Sequence, residues 1–241
     1  MTDRESNIIS QNLQKGSIKD NIEVYRQSSC FANLTKDKLK EIAGLSTSCD
    51  FKRGELIFNQ EEIPLFFYII KEGRVKLFRQ SAVGKNLTVG VQGRGETVHS
   101  AVLFDGTPRW ASAQAMDAVT VLGISREEFL LFVARNPIVA MNFICVMAEQ
   151  VHRAYGRLLD MVVDRVDQRL VKILYMLSSK FGNTLNFTAE EIADLAGTTI
   201  ETTFRVMSQL RNSGIIHTAR GKIVILDETM LYNLSADILL T

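Results

Sequence analysis

The sequence predicts an α+β chain: an antiparallel β-unit, then one long helix, then a winged helix-turn-helix. Three observations predict it. Between Cys49 and about Gly123, short β-rich runs alternate with turn residues. From Asn136-Pro137 to about Asp164 the pattern is helical, interrupted by Gly156 alone. After Arg165 two short helix signals meet at a glycine and lead into a hairpin signal. With 241 residues, 46% hydrophobic and 23% charged, the chain has enough apolar surface for two packed cores.

Residues 1–27 read as a polar N-terminal extension without the apolar core of a signal peptide. In "SSCFANLTKDKLKEIAGLS", Phe31, Leu34, Leu39, Ile42 and Leu45 fall at helical spacing and predict a short amphipathic helix. The runs "GELIFNQ", "LFFYIIKEGRVKLFRQ", "NLTVGVQG" and "AVTVLGIS" then predict strands of a sandwich or barrel, which gives a β-domain over 28–134. Gly54, Gly73, Gly84, Gly93 and Gly95 stand at or near the breaks, where a positive φ costs least.

Residues 135–164 predict a rod. Pro137 suits a first helical turn, and the stretch from Ile138 to Asp164 would span ~40 Å at ~1.5 Å per residue. Two apolar stripes run along it: Ile144, Met147, Val151, Ala154, Leu158 and Met161, and beside them Met141, Cys145, Ala148, Tyr155, Leu159 and Val162. One stripe is expected to lie on the β-unit. The other is expected to meet the same helix of a second chain, making a homodimer.

Residues 165–241 read as the nucleic-acid-binding unit. Thr188 with Glu191 fits a capping box, and Gly197 supplies a tight turn. Thr198 with Glu201 is expected to start a second helix with Ile200, Phe204, Met207 and Leu210 inward. Two helices joined this way are a helix-turn-helix, and "GIIHTARGKIVIL" is its wing, with Arg220-Gly221-Lys222 at the tip. The unit as a whole is balanced, with eight Lys and Arg against eight Asp and Glu, but residues 198–226 hold Arg205, Arg211, Arg220 and Lys222 against Glu201 alone. The basic character is therefore local.

Other classes are excluded. The formal net charge of +1 gives no global polyanion signal. Cys30, Cys49 and Cys145 are too few and too scattered for a disulfide framework or a closed zinc site and are expected to be reduced. No run approaches the ~20 apolar residues of a bilayer crossing, so a cytoplasmic protein without a membrane partner is expected. A His-rich metal cluster, a nucleophile-base pair and a phosphate loop are all missing from the sequence, which argues against an enzyme.

The segment "GTTIETTFR" is similar to the recognition-helix signature of the bacterial cyclic-AMP receptor and fumarate-nitrate regulator (Crp/Fnr) superfamily, where a Glu-Thr pair precedes an Arg three residues after the Thr. "GELIFNQEE", "YIIKEGRVKLF" and "LFDGTPRWA" resemble that family's β-roll, and "ARNPIVAMNFICVMAEQV" resembles the start of its dimer helix. The resemblance covers about 190 of the 241 residues. It implies that the β-unit is a double-stranded β-helix like a cyclic-nucleotide-binding domain, and that the protein is an allosterically controlled transcription regulator acting on palindromic DNA and on RNA polymerase. It also implies that Glu201 accepts from a cytosine amino group and Arg205 donates to a guanine edge. Thr199 and Thr202 would contact phosphates, and Ser208, Arg220 and Lys222 complete the expected interface. Phe204 replaces a serine of one branch, and would either join the core or meet a thymine methyl. Ile200 replaces an arginine of the other branch, which leaves the flanking bases open.

The effector differs from the family's best-known ones. Where the resemblance implies a Gly-Glu pair and an Arg with a small hydroxyl neighbour, this chain has His99-Ser100 and Arg109-Trp110, and the adenine-facing hydroxyl pair aligns with Ala154-Tyr155. Each lost hydrogen bond weakens a buried polar ligand by about 1 kcal/mol. Cyclic AMP is therefore not expected, and two N-terminal cysteines exclude the four-thiolate iron-sulfur branch. A haem sensing carbon monoxide or nitric oxide, with His99 or His152 as ligand, and a small organic ligand held by Arg109 and the aromatics around it both stay open. So does a constitutive DNA binder with a vestigial pocket. Glu61 stands where the family's β-roll usually has a turn glycine.

Overall fold

The computed structural model describes residues 13–14, 17–80 and 86–236. Gly84 and residues 1–12 of the expected N-terminal extension lie outside the described residues. The chain forms two compact units that divide at Val151/His152, inside the long helix.

In the first unit, β1 (Leu13–Gln14), β2 (Thr47–Phe51), β4 (Phe66–Glu72) and β8 (Val119–Ser125) make one antiparallel sheet in the order β1-β2-β8-β4. β3 (Leu56–Phe58), β5 (Val75–Gln80), β6 (Asn86–Gln92) and β7 (Ser112–Ala115) make a second, in the order β3-β7-β5-β6. Around them lie α1 (Ile18–Gln27), α2 (Lys36–Leu45), α3 (Val102–Asp105), α4 (Arg126–Arg135) and the start of α5 (Pro137–Val163).

The period of two in the strands explains the layering. On β4 and β8, Tyr68, Ile70, Val119 and Val121 face the interior between the sheets, together with Phe51, Phe58 and Val98. Their neighbours Phe67, Ile69, Leu122 and Ile124 point the other way, into a core shared with Tyr25, Phe31, Phe129 and Phe143. This sheet is thus buried on both faces, which is why its strands read as almost continuous apolar runs rather than as a strict alternation. Between β4 and β5 the chain turns at Gly73 with φ +81°, where a Cβ would run into the Ala118 carbonyl oxygen. Only glycine fits there.

The end of the expected N-terminal extension is structural. Val24 and Tyr25 of α1 are fully buried, and the Tyr25 hydroxyl pairs with Ser46 Oγ at 2.7 Å. The segment "IKDNIEVYRQ" is polar enough to read as an extension, because one narrow stripe carries all of its burial.

Helix α5 runs for 27 residues, ~40 Å at 1.5 Å each. Its first half places Val139 and Phe143, with Val146 and Met147, on the first unit's core. Met141, Ile144, Val151, Tyr155, Leu158 and Val162 are about half exposed or more. They follow a heptad spacing, with 141, 155 and 162 at one seam position and 144, 151 and 158 at the other. Met147 leaves the stripe it was read with, because 3.6 residues per turn carry it round to the core side.

The second unit adds α6 (Val166–Phe181), β9 (Thr184–Leu185), α7 (Ala189–Ala196), α8 (Ile200–Asn212), β10 (Ile216–Ala219), β11 (Lys222–Ile225) and α9 (Glu228–Ala236), with a sheet of order β10-β11-β9. Leu170, Leu174, Leu177, Ile192, Leu210 and Leu231 are among its buried side chains. The fold is the predicted one: a β-domain, a long helix and a C-terminal winged helix-turn-helix.

Candidate nucleic-acid interface and effector region

The helix-turn-helix forms as its capping residues dictate. Thr188 Oγ accepts from Glu191 N at 3.1 Å while Glu191 Oε2 accepts from Thr188 N at 2.8 Å, the reciprocal box read in the sequence. Gly197 closes α7 with φ +62°. The cap of α8 is Thr199, whose Oγ accepts from Thr202 N at 3.2 Å, one residue later than the sequence predicts. Thr198 is taken by the turn: its N–H donates to Ala193 O at 3.0 Å.

The buried face of α8 consists of Thr203, Val206, Met207 and Leu210. Ile200 and Phe204, expected inward, are exposed, Phe204 by 60%. The face is turned because Thr203 is buried in their place, its hydroxyl donating to Thr199 O at 3.0 Å and so meeting the cost of burying a polar group. The outer face then presents Glu201, Phe204 and Arg205 in full and Thr202 and Ser208 in part. The Glu201 carboxylate accepts from its own backbone N–H and from the Thr199 hydroxyl, which hold it below the usual carboxylate range and therefore ionised. Arg220 and Lys222 are exposed at the hairpin tip beside Gly221, and His217 is exposed on β10.

The candidate effector residues of the first unit lie around the interior of the β-roll. Arg109 is 1% exposed; its guanidinium carbon sits 3.7 Å from the Phe58 ring centroid and 5.9 Å from that of Tyr68, and Nη2 donates to Phe66 O at 3.1 Å. Its backbone is held as well, with Glu61 N donating to Arg109 O at 2.6 Å and Arg109 N donating to Glu62 O at 2.9 Å. Glu61 keeps a glycine's conformation, φ +68°, so the loop is retained despite the substitution. Ser100 is buried and its hydroxyl pairs with Thr97 at 2.9 Å. Trp110 is half exposed and meets His99 edge-on at 5.1 Å between centroids.

His99 is 8% exposed, has φ +49°, stacks on Phe58 at 6.1 Å, and neither ring nitrogen has a hydrogen-bond partner. Burial first, and the charge of Arg109 second, lower its pKa from 6.5 to about 4. The unfolded chain takes up this proton below about pH 6.5 and the folded chain only below about 4, so stability is full above 6.5 and falls as the pH is lowered between these values. Between pH 7 and 5 the loss should be about 2 kcal/mol. Trp110 is the chain's only tryptophan and touches this histidine, so its fluorescence in urea reads the relevant unit. His99→Asn, which tolerates the positive φ, should remove most of that dependence; an unchanged pH dependence in the variant would contradict the assignment.

Ala154, Tyr155 and His152 belong to α5 in the second unit, where His152 and Tyr155 are exposed. Cys30 and Cys49 are buried in separate cores, their thiols pushed up to about 11 chiefly by burial, which is unsuited to thiolate ligation. Among the described residues no group of three or more His, Cys, Asp or Glu is placed to hold a metal ion, and no single helix is long and apolar enough to cross a membrane.

Two family profiles match the chain: the cyclic nucleotide-binding domain over residues 49–136 and the Crp-like helix-turn-helix domain over 168–234. The cyclic AMP receptor protein of Thermus thermophilus is 29% identical over 182 residues, 75% of this chain and 84% of that one. This chain belongs to the Crp/Fnr superfamily. The nitrogen fixation regulation protein FixK of Bradyrhizobium diazoefficiens is 26% identical over 219 residues, covering 88% of this Crp/Fnr chain and 91% of FixK. The solved structure of FixK2 from Bradyrhizobium japonicum shares the fold with a TM-score of 0.71 at 21% identity, over 79% of this chain and 98% of that one. The protein is accordingly a DNA-binding transcription regulator of the Crp/Fnr type and not an enzyme.

Sequence reading of this Crp/Fnr protein missed three things. Phe58 is the nearer of the two rings on which Arg109 lies; Tyr68, the other, belongs to the Phe66-Phe67-Tyr68 run already grouped with Arg109. Thr203 and Val206 supply the inner face of the recognition helix. Arg157 and Arg169 meet backbone carbonyls, which carry no signal in a sequence of side chains, and Lys172 beside them meets the Asp160 and Asp164 carboxylates.

Proposed function

We propose that two copies of this chain pair along α5, bind a two-fold-symmetric duplex and regulate transcription through RNA polymerase, under control of an effector other than cyclic AMP. The observation that carries the reading is the exposed heptad seam on α5. Each large apolar side chain removed from water there contributes roughly 1.5–3 kcal/mol, and the spacing suits a second α5. On this reading residues 28–134, together with the helix α1 that packs on them, sense, 135–164 pair and 165–241 read DNA.

At each half-site Glu201 accepts from a cytosine amino group and Arg205 donates to guanine, while Phe204, exposed on the same face, packs on a thymine methyl. Thr199, Thr202 and Ser208, with Arg220 and Lys222 of the wing, contact phosphates and fix the register. The effector shifts the population between two arrangements of the paired helices, and one arrangement brings the recognition helices to the ~34 Å spacing of successive major grooves.

The effector region favours a small organic ligand over haem. A neutral imidazole such as His99 is the form that binds iron, but Phe58 and Trp110 cover two sides of the ring. A Soret band in protein purified from haem-supplied cells would reverse that preference. A second reading, a constitutive regulator with a vestigial pocket, is favoured by the packing of Arg109 against Phe58 and Tyr68, since a ligand must displace the protein's own side chains to reach it.

Selection from a randomised duplex library tests the main reading. The expected product is a palindrome with a G·C pair at matched positions of two half-sites about 10 base pairs apart. A single asymmetric motif would refute it.

A further inference from the structure

The end of α5 and the turn before the recognition helix meet at a corner that holds three cations, two of which reach the turn. Helix α7 stops at Ala196, and the N–H groups of Gly197 and Thr198 both return to Ala193 O. The carbonyls of Leu195 and Ala196 are left over, as the last carbonyls of a helix are, and carry its negative end. Arg157 Nη2 donates to Leu195 O at 3.0 Å and Arg169 Nε donates to Ala196 O at 3.3 Å. Arg169 Nη1 also donates to Asp164 O at 3.0 Å, just beyond the end of α5. Residues 197–199 alone separate these carbonyls from the first residue of α8.

The same helix end carries an electrostatic problem and its remedy. Asp160 and Asp164 are one turn apart at the C-terminus of α5, where carboxylates oppose both each other and the helix dipole. Lys172 Nζ lies 2.6 Å from Asp160 Oδ1 and 2.7 Å from Asp164 Oδ2, with the Asp164 side chain almost wholly buried. Burial works against the ammonium, but hydrogen bonds to the two carboxylates and their charges outweigh it and raise its pKa above the usual lysine value. Lys172 thereby fastens the last turn of α5 to α6 while the two arginines fasten α7 to the same corner.

We propose that Arg157, Arg169 and Lys172 are positioning residues: they touch no base, and they set the pitch of α8, the two arginines by fixing the Leu195 and Ala196 carbonyls and Lys172 by fastening the end of α5 to α6, which carries Arg169. The inference rests on the reading of α8 as the recognition helix. It predicts loss of discrimination between DNA sequences without loss of fold. The corner borders an open cleft of about 210 Å³, so water can reach the carbonyls when an arginine is shortened.

The test uses the full chain and two duplexes: the one the wild-type protein selects from a randomised library, and one of random sequence. In Lys172→Met and in Arg157→Gln the ratio of the two affinities should fall about tenfold or more, the equivalent of one misaligned base-edge pair, with the helical far-ultraviolet circular dichroism of the chain retained at the assay temperature. Lys172→Arg, which keeps the charge, should recover most of the ratio. If Lys172→Met fails to fold, Arg157→Gln carries the test. A wild-type ratio in both variants overturns the clamp alone. A wild-type protein that discriminates no sequence overturns the reading of α8, and the clamp falls with it.

Discussion

Arg205→Gln should bind the selected duplex a hundredfold or more weakly while binding random duplex only a few-fold more weakly. A guanidinium donating to both acceptors of guanine is worth about 1–3 kcal/mol of discrimination, and a two-fold complex uses it twice. Arg205 stands on the outer face of α8 beside Glu201 and Phe204, so shortening it removes nothing from the core of Thr203, Val206, Met207 and Leu210. The fold should survive, which isolates the loss to base readout. The contrasting substitution is at the wing: Lys222→Gln should weaken both duplexes alike and lower the dependence on salt, as expected for a phosphate contact. Competition titrations at two salt concentrations measure both effects. An Arg205→Gln protein that keeps its preference would remove Arg205 from the interface.

The double variant Val151→Glu, Leu158→Glu should be monomeric and should lose 10²–10⁴-fold in affinity for a two-half-site duplex, the range that linking two binding modules supplies. Both side chains are about half exposed on α5 and lie on the same seam position, seven residues apart. Placing carboxylates there costs a single chain little, since no buried contact is lost. In a paired seam the four carboxylates of two chains would face one another in a desolvated strip. Affinity for a duplex with one half-site should hardly change, and that separates a pairing defect from a damaged DNA-binding unit. A dimeric variant would place the pairing surface elsewhere.

Much of this was legible in the sequence because side-chain period is a strong signal where burial is simple. The runs around Phe67 to Ile70 and Val119 to Ile124 announced strands, and Thr188 with Glu191 announced a helix start. Reading became unsafe where a polar letter is buried or an apolar letter is exposed. Thr203 faces the core because the Thr199 carbonyl accepts its hydroxyl, and that one exchange turns α8 so that Ile200 and Phe204 point outward. Val24 and Tyr25 are hidden among charges, and no spacing in the sequence shows that the Arg109 guanidinium lies on the Phe58 ring. The corner formed by Arg157, Arg169 and Lys172 could not be read, since its acceptors include the backbone at Leu195, Ala196 and Asp164.

The mass of the complex on the selected duplex tests the central claim most directly. Sedimentation of the full-length protein with that duplex should give two chains per DNA, and dilution should separate them only together with loss of specific binding. One chain per duplex at saturation, with affinity undiminished, would contradict the account.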